Sequence, residues 1–156
     1  MTGCTETYFN LFMYQKILIA LDHSASDAAV LDHVSALAPL HRSEILLVHV
    51  ADGWAARNFE RLNLAESEEM VRDRGYLEET ALKLRETLQL TITTKLALGN
   101  PPDEIVKVAH SENCDLILMA SHGHRFFSDL WHGSTIDQVR HNTHVPILVV
   151  RSLKKC

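Results

Sequence analysis

The sequence predicts one α/β domain with a five-stranded parallel sheet and helices on both of its faces. Three observations support this prediction. Five short runs rich in Ile, Leu and Val recur along the chain, segments of helical period lie between them, and the connections are long enough for crossover helices. Such alternation gives a mostly parallel sheet, because each strand returns through a helix to lie beside another strand.

The predicted strands are KILIAL at 16–21, EILLVHV at 44–50, TITTKLAL at 91–98, DLILMA at 115–120 and PILVVR at 146–151. Four of these runs are almost continuously apolar, which is typical of strands covered on both faces. The run at 91–98 alternates between polar and apolar residues, so we expect it at an edge of the sheet.

The intervening segments repeat apolar residues every three to four positions. Helix starts are indicated by pairs with capping-box spacing, namely Ser24 with Asp27, Asn100 with Asp103, and Ser134 with Asp137. The connection at 51–65 is predicted to be a partly helical surface segment, with a flexible lid as the alternative.

Composition restricts the class of protein. The 156 residues suit one domain, and 46% hydrophobic residues can supply its core. The net charge is −5 and the 15 Lys and Arg residues are scattered, which disfavours nucleic acid as a partner. We expect a domain over 13–153, preceded by a loosely ordered or disordered extension over 1–12.

Cysteine usage and hydropathy indicate the compartment. Cys4, Cys114 and Cys156 are odd in number and form no C-x-x-C pair, so they predict neither a disulfide framework nor a redox motif. A reducing cytoplasm is the expected location. No stretch reaches the roughly 18 apolar residues that a spanning helix needs, so we expect no membrane segment.

The stretch ASHGHRFFSDLWHGST, from Ala120 to Thr135, is the strongest candidate for a binding site. In parallel sheets, ligands bind beyond the carboxyl ends of the strands, and this stretch follows the fourth strand. Gly133, Ser134 and Thr135 open the last helix, where unpaired N–H groups stabilise an anion such as a phosphate. The alternative is that Ser134 simply caps the helix together with Asp137.

The spacing Ala120-x-x-Gly123, nine residues, then Gly133-Ser134 resembles the G-x-x-G-x9-G-[ST] signature of the nucleotide-binding universal stress proteins. KILIALDHSASDAAVLDHV, LLVHV, GNPPDEIVKVA and NTHVPILVVR are similar to other segments of that family. The resemblance covers about 13–151 and implies a Rossmann-like, adenine-nucleotide alpha-hydrolase-like fold with strand order 3-2-1-4-5. The chain departs from the signature at Ala120, where the family has glycine, and some members without the signature do not hold ATP.

The resemblance implies a regulatory ATP-binding module in a stress response, with ADP or AMP as alternative ligands and Mg²⁺ as a candidate ion beside the phosphates. The adenine would lie against the end of the first strand and near the second, and the ribose and phosphates along the fourth strand and the last helix. The implied contacts are Ala20, Leu21, Asp22, Val50, Met119, Ala120, His122, Gly123, Arg125, Gly133, Ser134 and Thr135. Asp22 has an alternative role in capping the first helix.

Catalytic and metal functions have weaker support. Ser121 and His122 lack the G-x-S-x-G context of a nucleophile elbow, so we assign no catalytic residue and expect at most slow ATP hydrolysis. His23, His122, His124 and His132 follow strand ends, but a metal site needs three or four ligands to converge, and we predict none.

Two different functions remain open at this point. One is the nucleotide-binding module, and the other is a protein-interaction module of the same fold that holds no nucleotide. In both cases the apolar strand PILVV, which the resemblance places at an edge, predicts a homodimer through the C-terminal edge strand. An unidentified protein partner is also expected.

Overall fold

The computed structural model describes residues 13–121 and 135–151. Strands and helices alternate along the chain, apart from two successive helices between the second and third strands. The elements are β1 (Lys16–Ala20), α1 (Asp27–His41), β2 (Glu44–Ala51), α2 (Trp54–Leu62), α3 (Glu68–Leu88), β3 (Ile92–Leu98), α4 (Pro101–Ser111), β4 (Leu116–Ala120), α5 (Thr135–Asn142) and β5 (Ile147–Val150).

The strands form one parallel sheet in the order β3-β2-β1-β4-β5, so the predicted fold class and strand order are confirmed. β3, the alternating run, lies at one edge as predicted, and β5 lies at the other. The connection after β2 contains the helix α2, which confirms the prediction of a helical surface segment.

Hydrophobic residues cover both faces of the sheet. On one face, Ile17, Ile19 and Leu47 pack with residues of α1 and α3. On the other, Leu18, Val48 and Ile117 pack with residues of α4 and α5. Since alternate strand residues point to opposite faces, the continuous apolar runs supply both layers.

Two predicted helix starts differ in detail from the structure. α1 begins at Asp27 after the N-cap Ser26, so the predicted cap at Ser24 is wrong. Ser24 Oγ instead accepts a hydrogen bond from Ser26 N, within the turn before the helix. Asn100 is the N-cap of α4 as predicted, but its amide donates to the Asp103 carboxylate rather than capping the helix backbone.

Candidate functional site

β1 and β4 stop pairing with each other before their carboxyl ends, at the point where the strand order of the sheet reverses. Their register runs from Ile17 beside Leu116 to Ile19 beside Leu118. Beyond it, Leu21 N donates to Val48 O of β2, while Ser121 N donates to Val150 O of β5. The two strands therefore pair with opposite neighbours. This is the topological switch point of the sheet, and in open α/β sheets ligands bind in the crevice at such a point.

The predicted site residues at the carboxyl ends of β1, β2 and β4 lie in two groups, one on each face of the sheet. Ala20, Val50 and Met119 pack on the α4–α5 face of the sheet. Leu21 is buried on the opposite face, in the core formed with α1 and α3, and Ala120 packs against that same core. The main-chain N–H of Leu21 is bonded to β2, so a ligand contact by this residue is restricted to its remaining backbone surface.

Asp22 lies in the turn that leads from β1 into α1. Its Oδ1 accepts a hydrogen bond from Ser24 N at 3.2 Å. The next residue, His23, has a φ of 60°, so the backbone is left-handed at this point. The turn holds the Asp22 carboxyl group, which is half-buried, at the carboxyl edge of the sheet.

Asp27, the first residue of α1, fixes the geometry of that turn. Its Oδ1 accepts from Asp22 N at 3.1 Å, and its Oδ2 accepts from His23 N at 2.9 Å. The Tyr76 hydroxyl of α3 donates to Oδ2 at 2.7 Å. One buried carboxylate therefore joins the turn after β1 to both α1 and α3.

Burial raises the pKa of the Asp27 carboxyl to about 6, although the hydrogen bonds from Tyr76 and Asp22 N act in the opposite direction. Burial, together with the hydrogen bond to Asp27, also raises the pKa of Tyr76 well above its usual value. The Tyr76 phenol therefore stays protonated and acts as a donor. Its ring stacks on His23, with 4.0 Å between ring centroids.

A second buried polar pair joins the end of β1 to α3. His49 Nδ1 of β2 lies 2.8 Å from the carbonyl oxygen of Leu21, and His49 Nε2 lies 3.3 Å from Asp73 Oδ2 of α3. His49 and Asp73 are 5% and 6% exposed. Within the described residues, neither Nε2 nor Oδ2 forms a hydrogen bond of normal geometry, and burying such an atom unpaired costs about 1–3 kcal/mol.

Sequence reasoning missed these polar groups as parts of a site. Two signals are visible in retrospect. His49 interrupts the otherwise apolar run EILLVHV, and Asp73 lies between Met70 and Leu77 on the buried face of α3. A polar residue at an apolar position indicates a buried partner, but the pattern cannot identify that partner.

The predicted phosphate contacts are only partly described. Thr135 is the first residue of α5 and is half-buried. Because β5 is parallel to β4, α5 runs back across the sheet, so Thr135 lies at the carboxyl edge. His122, Gly123, Arg125, Gly133 and Ser134 lie outside the described residues, as do His124 and His132.

Residues 13–121 and 135–151 contain no helix that is both long and apolar enough to cross a membrane. The same part of the chain contains no group of three His, Cys, Asp or Glu side chains arranged to hold a metal ion. The predicted absence of a metal site stays a prediction, because three of the candidate histidines lie outside these ranges.

Comparison with known proteins identifies the family. The family model described as "Universal stress protein family" matches residues 13–151. The chain belongs to the universal stress protein family. Among its relatives, universal stress protein MJ0577 of Methanocaldococcus jannaschii is 29% identical over 155 residues, with 89% of this chain and 96% of the relative covered.

Solved structures of other universal stress proteins share the fold. A structure of MJ0577 has a TM-score of 0.76 at 29% identity and covers 92% of this chain and 99% of that one. A universal stress protein in complex with cAMP has a TM-score of 0.66 at 17% identity and covers 88% and 97%. A universal stress protein from Archaeoglobus fulgidus in complex with dAMP has a TM-score of 0.65 at 18% identity, with 88% of this chain and 98% of that one covered.

Proposed function

We propose that this universal stress protein is a regulatory module that binds an adenine nucleotide, ATP in particular, in the crevice between β1 and β4. The observation behind the proposal is that pairing between β1 and β4 ends at Ile19 and Leu118, while each strand continues to pair with its outer neighbour. A ligand cleft at this switch point would be bordered by the small side chain of Ala20 and by Asp22.

The adenine ring would enter the cleft from the α4–α5 side, where Ala20, Val50 and Met119 lie. These side chains provide an apolar wall for a planar base. The Asp22 carboxyl group would accept from the exocyclic amine of the adenine or from a ribose hydroxyl. Leu21 would contribute only van der Waals contact from its backbone, because its side chain is buried on the other face and both its N–H and its carbonyl oxygen already have partners.

The phosphates would lie at the start of α5, close to Thr135. The first N–H groups of a helix have no partner within it and carry a partial positive charge, so they stabilise an anion. The sequence supplies Gly133 and Ser134 immediately before Thr135, and Gly123, His122 and Arg125 earlier in the same loop. Mg²⁺ would accompany the nucleotide through its phosphate oxygens.

Two solved structures of the same fold support adenine as the base, since one protein binds cAMP and the other dAMP. The chemistry that the two ligands share is an adenine nucleoside that carries one phosphate. Our choice of ATP depends on the resemblance of this loop, in which nine residues separate Gly123 from Gly133, to the signature of the nucleotide-binding universal stress proteins.

We further propose that the protein is a cytoplasmic homodimer that pairs through β5. Leu148 and Val149 of this edge strand are 37% and 41% exposed. An unpaired apolar edge favours association, and two copies related by a twofold axis would bury each other's β5. Cys114, the one cysteine in the described part of the chain, is a buried free thiol, which suits a reducing compartment.

The test of nucleotide binding is thermal unfolding with and without millimolar Mg-ATP. A ligand at a thousandfold excess over its dissociation constant stabilises the folded state by about 4 kcal/mol. We expect a clear rise in melting temperature with ATP and a smaller one with GTP. No shift with any adenine nucleotide would contradict the proposal and favour the interaction module, for which Ala120 in place of glycine is the supporting feature.

A pair of glycine variants locates the site. Gly133→Val adds a branched side chain where the phosphates are proposed to approach, and it should abolish the ATP-dependent shift. Gly75→Val is the matched control, because a β-carbon at Gly75 on α3 meets no atom within 4 Å. An undiminished shift in Gly133→Val would place the phosphates elsewhere.

A further inference from the structure

The buried pair of His49 and Asp73 has a proton requirement that follows from its contacts. A carbonyl oxygen only accepts hydrogen bonds, so His49 Nδ1, at 2.8 Å from Leu21 O, has to carry a hydrogen. In a neutral imidazole the other nitrogen, Nε2, then presents a lone pair. That lone pair would face Asp73 Oδ2 at 3.3 Å, and an ionised carboxylate offers only lone pairs as well.

We propose that one proton is held between His49 Nε2 and Asp73 Oδ2, and that it makes the pair a pH-dependent clamp on the Leu21–Asp22 corner of the crevice. Imidazole is a stronger base than a carboxylate, so the proton resides on Nε2 and the pair is an imidazolium with a carboxylate. Both side chains are more than nine-tenths buried, which makes the pairing of their charges necessary.

The elements packed around the pair contribute further titratable groups. The turn after β1 contributes Asp22 and His23, whose Nδ1 lies 3.7 Å from Asp73 Oδ1. α1 contributes Asp27, and α3 contributes Tyr76, which donates to Asp27, together with Glu69 one turn before Asp73. Within the described residues, Asp73 is the carboxylate that contacts His49, so its negative charge is the one that stabilises a positive His49, and His23 faces its other oxygen.

The clamp acts on the proposed nucleotide site through the backbone of β1. His49 holds the Leu21 carbonyl, and the following peptide group supplies Asp22 N, which is bonded to Asp27. Loss of the proton would leave two buried acceptors facing each other, so His49 and α3 would separate and the corner would loosen. His49 and Asp73 are thus positioning residues, and their effect on nucleotide affinity depends on the proposed function.

The proton is tested directly by nitrogen NMR of the imidazole ring of His49. We expect both ring nitrogens to be protonated at pH 6 and Nε2 to lose its hydrogen as the pH rises. A His49 ring with hydrogen on Nδ1 alone throughout this range would overturn the proposal. This measurement needs no variant and no nucleotide.

The variant Asp73→Asn keeps a hydrogen bond between the side chains at positions 49 and 73 but removes the need for the shared proton. The side-chain amide that this substitution introduces can donate to an unprotonated Nε2, so the contact persists without a titrating proton. Relative to this variant, the wild-type folding equilibrium constant should fall by up to tenfold for each pH unit across the transition, because its folded state alone retains the proton. A constant ratio between the two proteins would overturn the clamp. His33→Gln, at an exposed histidine of α1, is the control.

Titration with ATP at pH 6 and pH 8 tests the positioning role. Between pH 6 and pH 8, the affinity of the wild-type protein for ATP should decrease more than the affinity of Asp73→Asn. Equal decreases in the two proteins would overturn the positioning role. If neither protein binds ATP at either pH, the proposed function fails, whereas the clamp is still decided by the imidazole signals. In that case, faster exchange of the Asp22 amide at pH 8 in wild type than in Asp73→Asn supports the clamp, and equal rates contradict it.

Discussion

Asp27→Asn should alter the pH dependence of stability by an amount set by the burial of this carboxyl group. Burial raises the pKa of Asp27 from 3.8 to about 6. Each pKa unit corresponds to about 1.4 kcal/mol, so the ionised group costs the folded state about 3 kcal/mol above pH 6. Between pH 3.8 and about pH 6, Asp27 holds a proton in the folded state but has released it in the unfolded chain. The contribution of Asp27 to the free energy of unfolding therefore falls as the pH rises through this range.

The assay is urea unfolding of both proteins at half-unit steps from pH 4 to pH 7. The amide that replaces the carboxyl group carries no titrating proton, so the variant should gain about 3 kcal/mol relative to wild type over this range. Subtracting the free energy of unfolding of the wild-type protein from that of the variant at each pH removes the contributions of the other acidic groups. A difference that stays constant with pH, or that changes in favour of wild type as pH rises, would refute the burial argument.

Three further predictions follow from named contacts. Tyr76→Phe removes a donor to a charged acceptor and should cost about 1.5–3 kcal/mol in urea unfolding at pH 7.5 and less at pH 5, where Asp27 is protonated; an equal cost at both pH values would contradict this. Burial raises the pKa of Cys114 to about 11, so in a Cys4→Ser, Cys156→Ser background a thiol reagent at pH 7.5 should label it only after unfolding, and rapid labelling of the native protein would contradict its burial. Leu148→Lys places a charge on the exposed face of β5 and should halve the mass measured by light scattering, whereas an unchanged mass would refute pairing through β5.

The sheet could be predicted from the sequence because its three central strands, β2, β1 and β4, are buried on both faces. A run such as KILIAL is apolar at every position after Lys16, and few other structures require this of so short a segment. The edge position of β3 followed from its polar residues Thr93, Thr94 and Lys95, which a strand covered on both faces rarely contains. Strand order, by contrast, depended on the family resemblance.

The start of α1 could not be predicted correctly because a tertiary contact overrides the local signal. Ser24 and Asp27 have capping-box spacing, but the Asp27 carboxylate bonds the amides of Asp22 and His23 together with the Tyr76 hydroxyl. Tyr76 is 49 residues away in the sequence, so no local pattern contains this information.

The pairing of His49 with Asp73 was hidden for the same reason. Each residue is anomalous in its own element, since one interrupts an apolar strand and the other an apolar helix face. Only the packing of α3 against β2 brings them together. The predicted crevice residues were easier to place, because the ends of parallel strands necessarily share one edge of the sheet.

The most direct test of nucleotide binding between β1 and β4 is an amide NMR titration of the protein with ATP. We expect the largest, saturable shifts at Ala20, Asp22, Val50, Ala120 and Thr135, with little change along β3. Saturable shifts confined to other parts of the chain, or none at millimolar ATP, would contradict it.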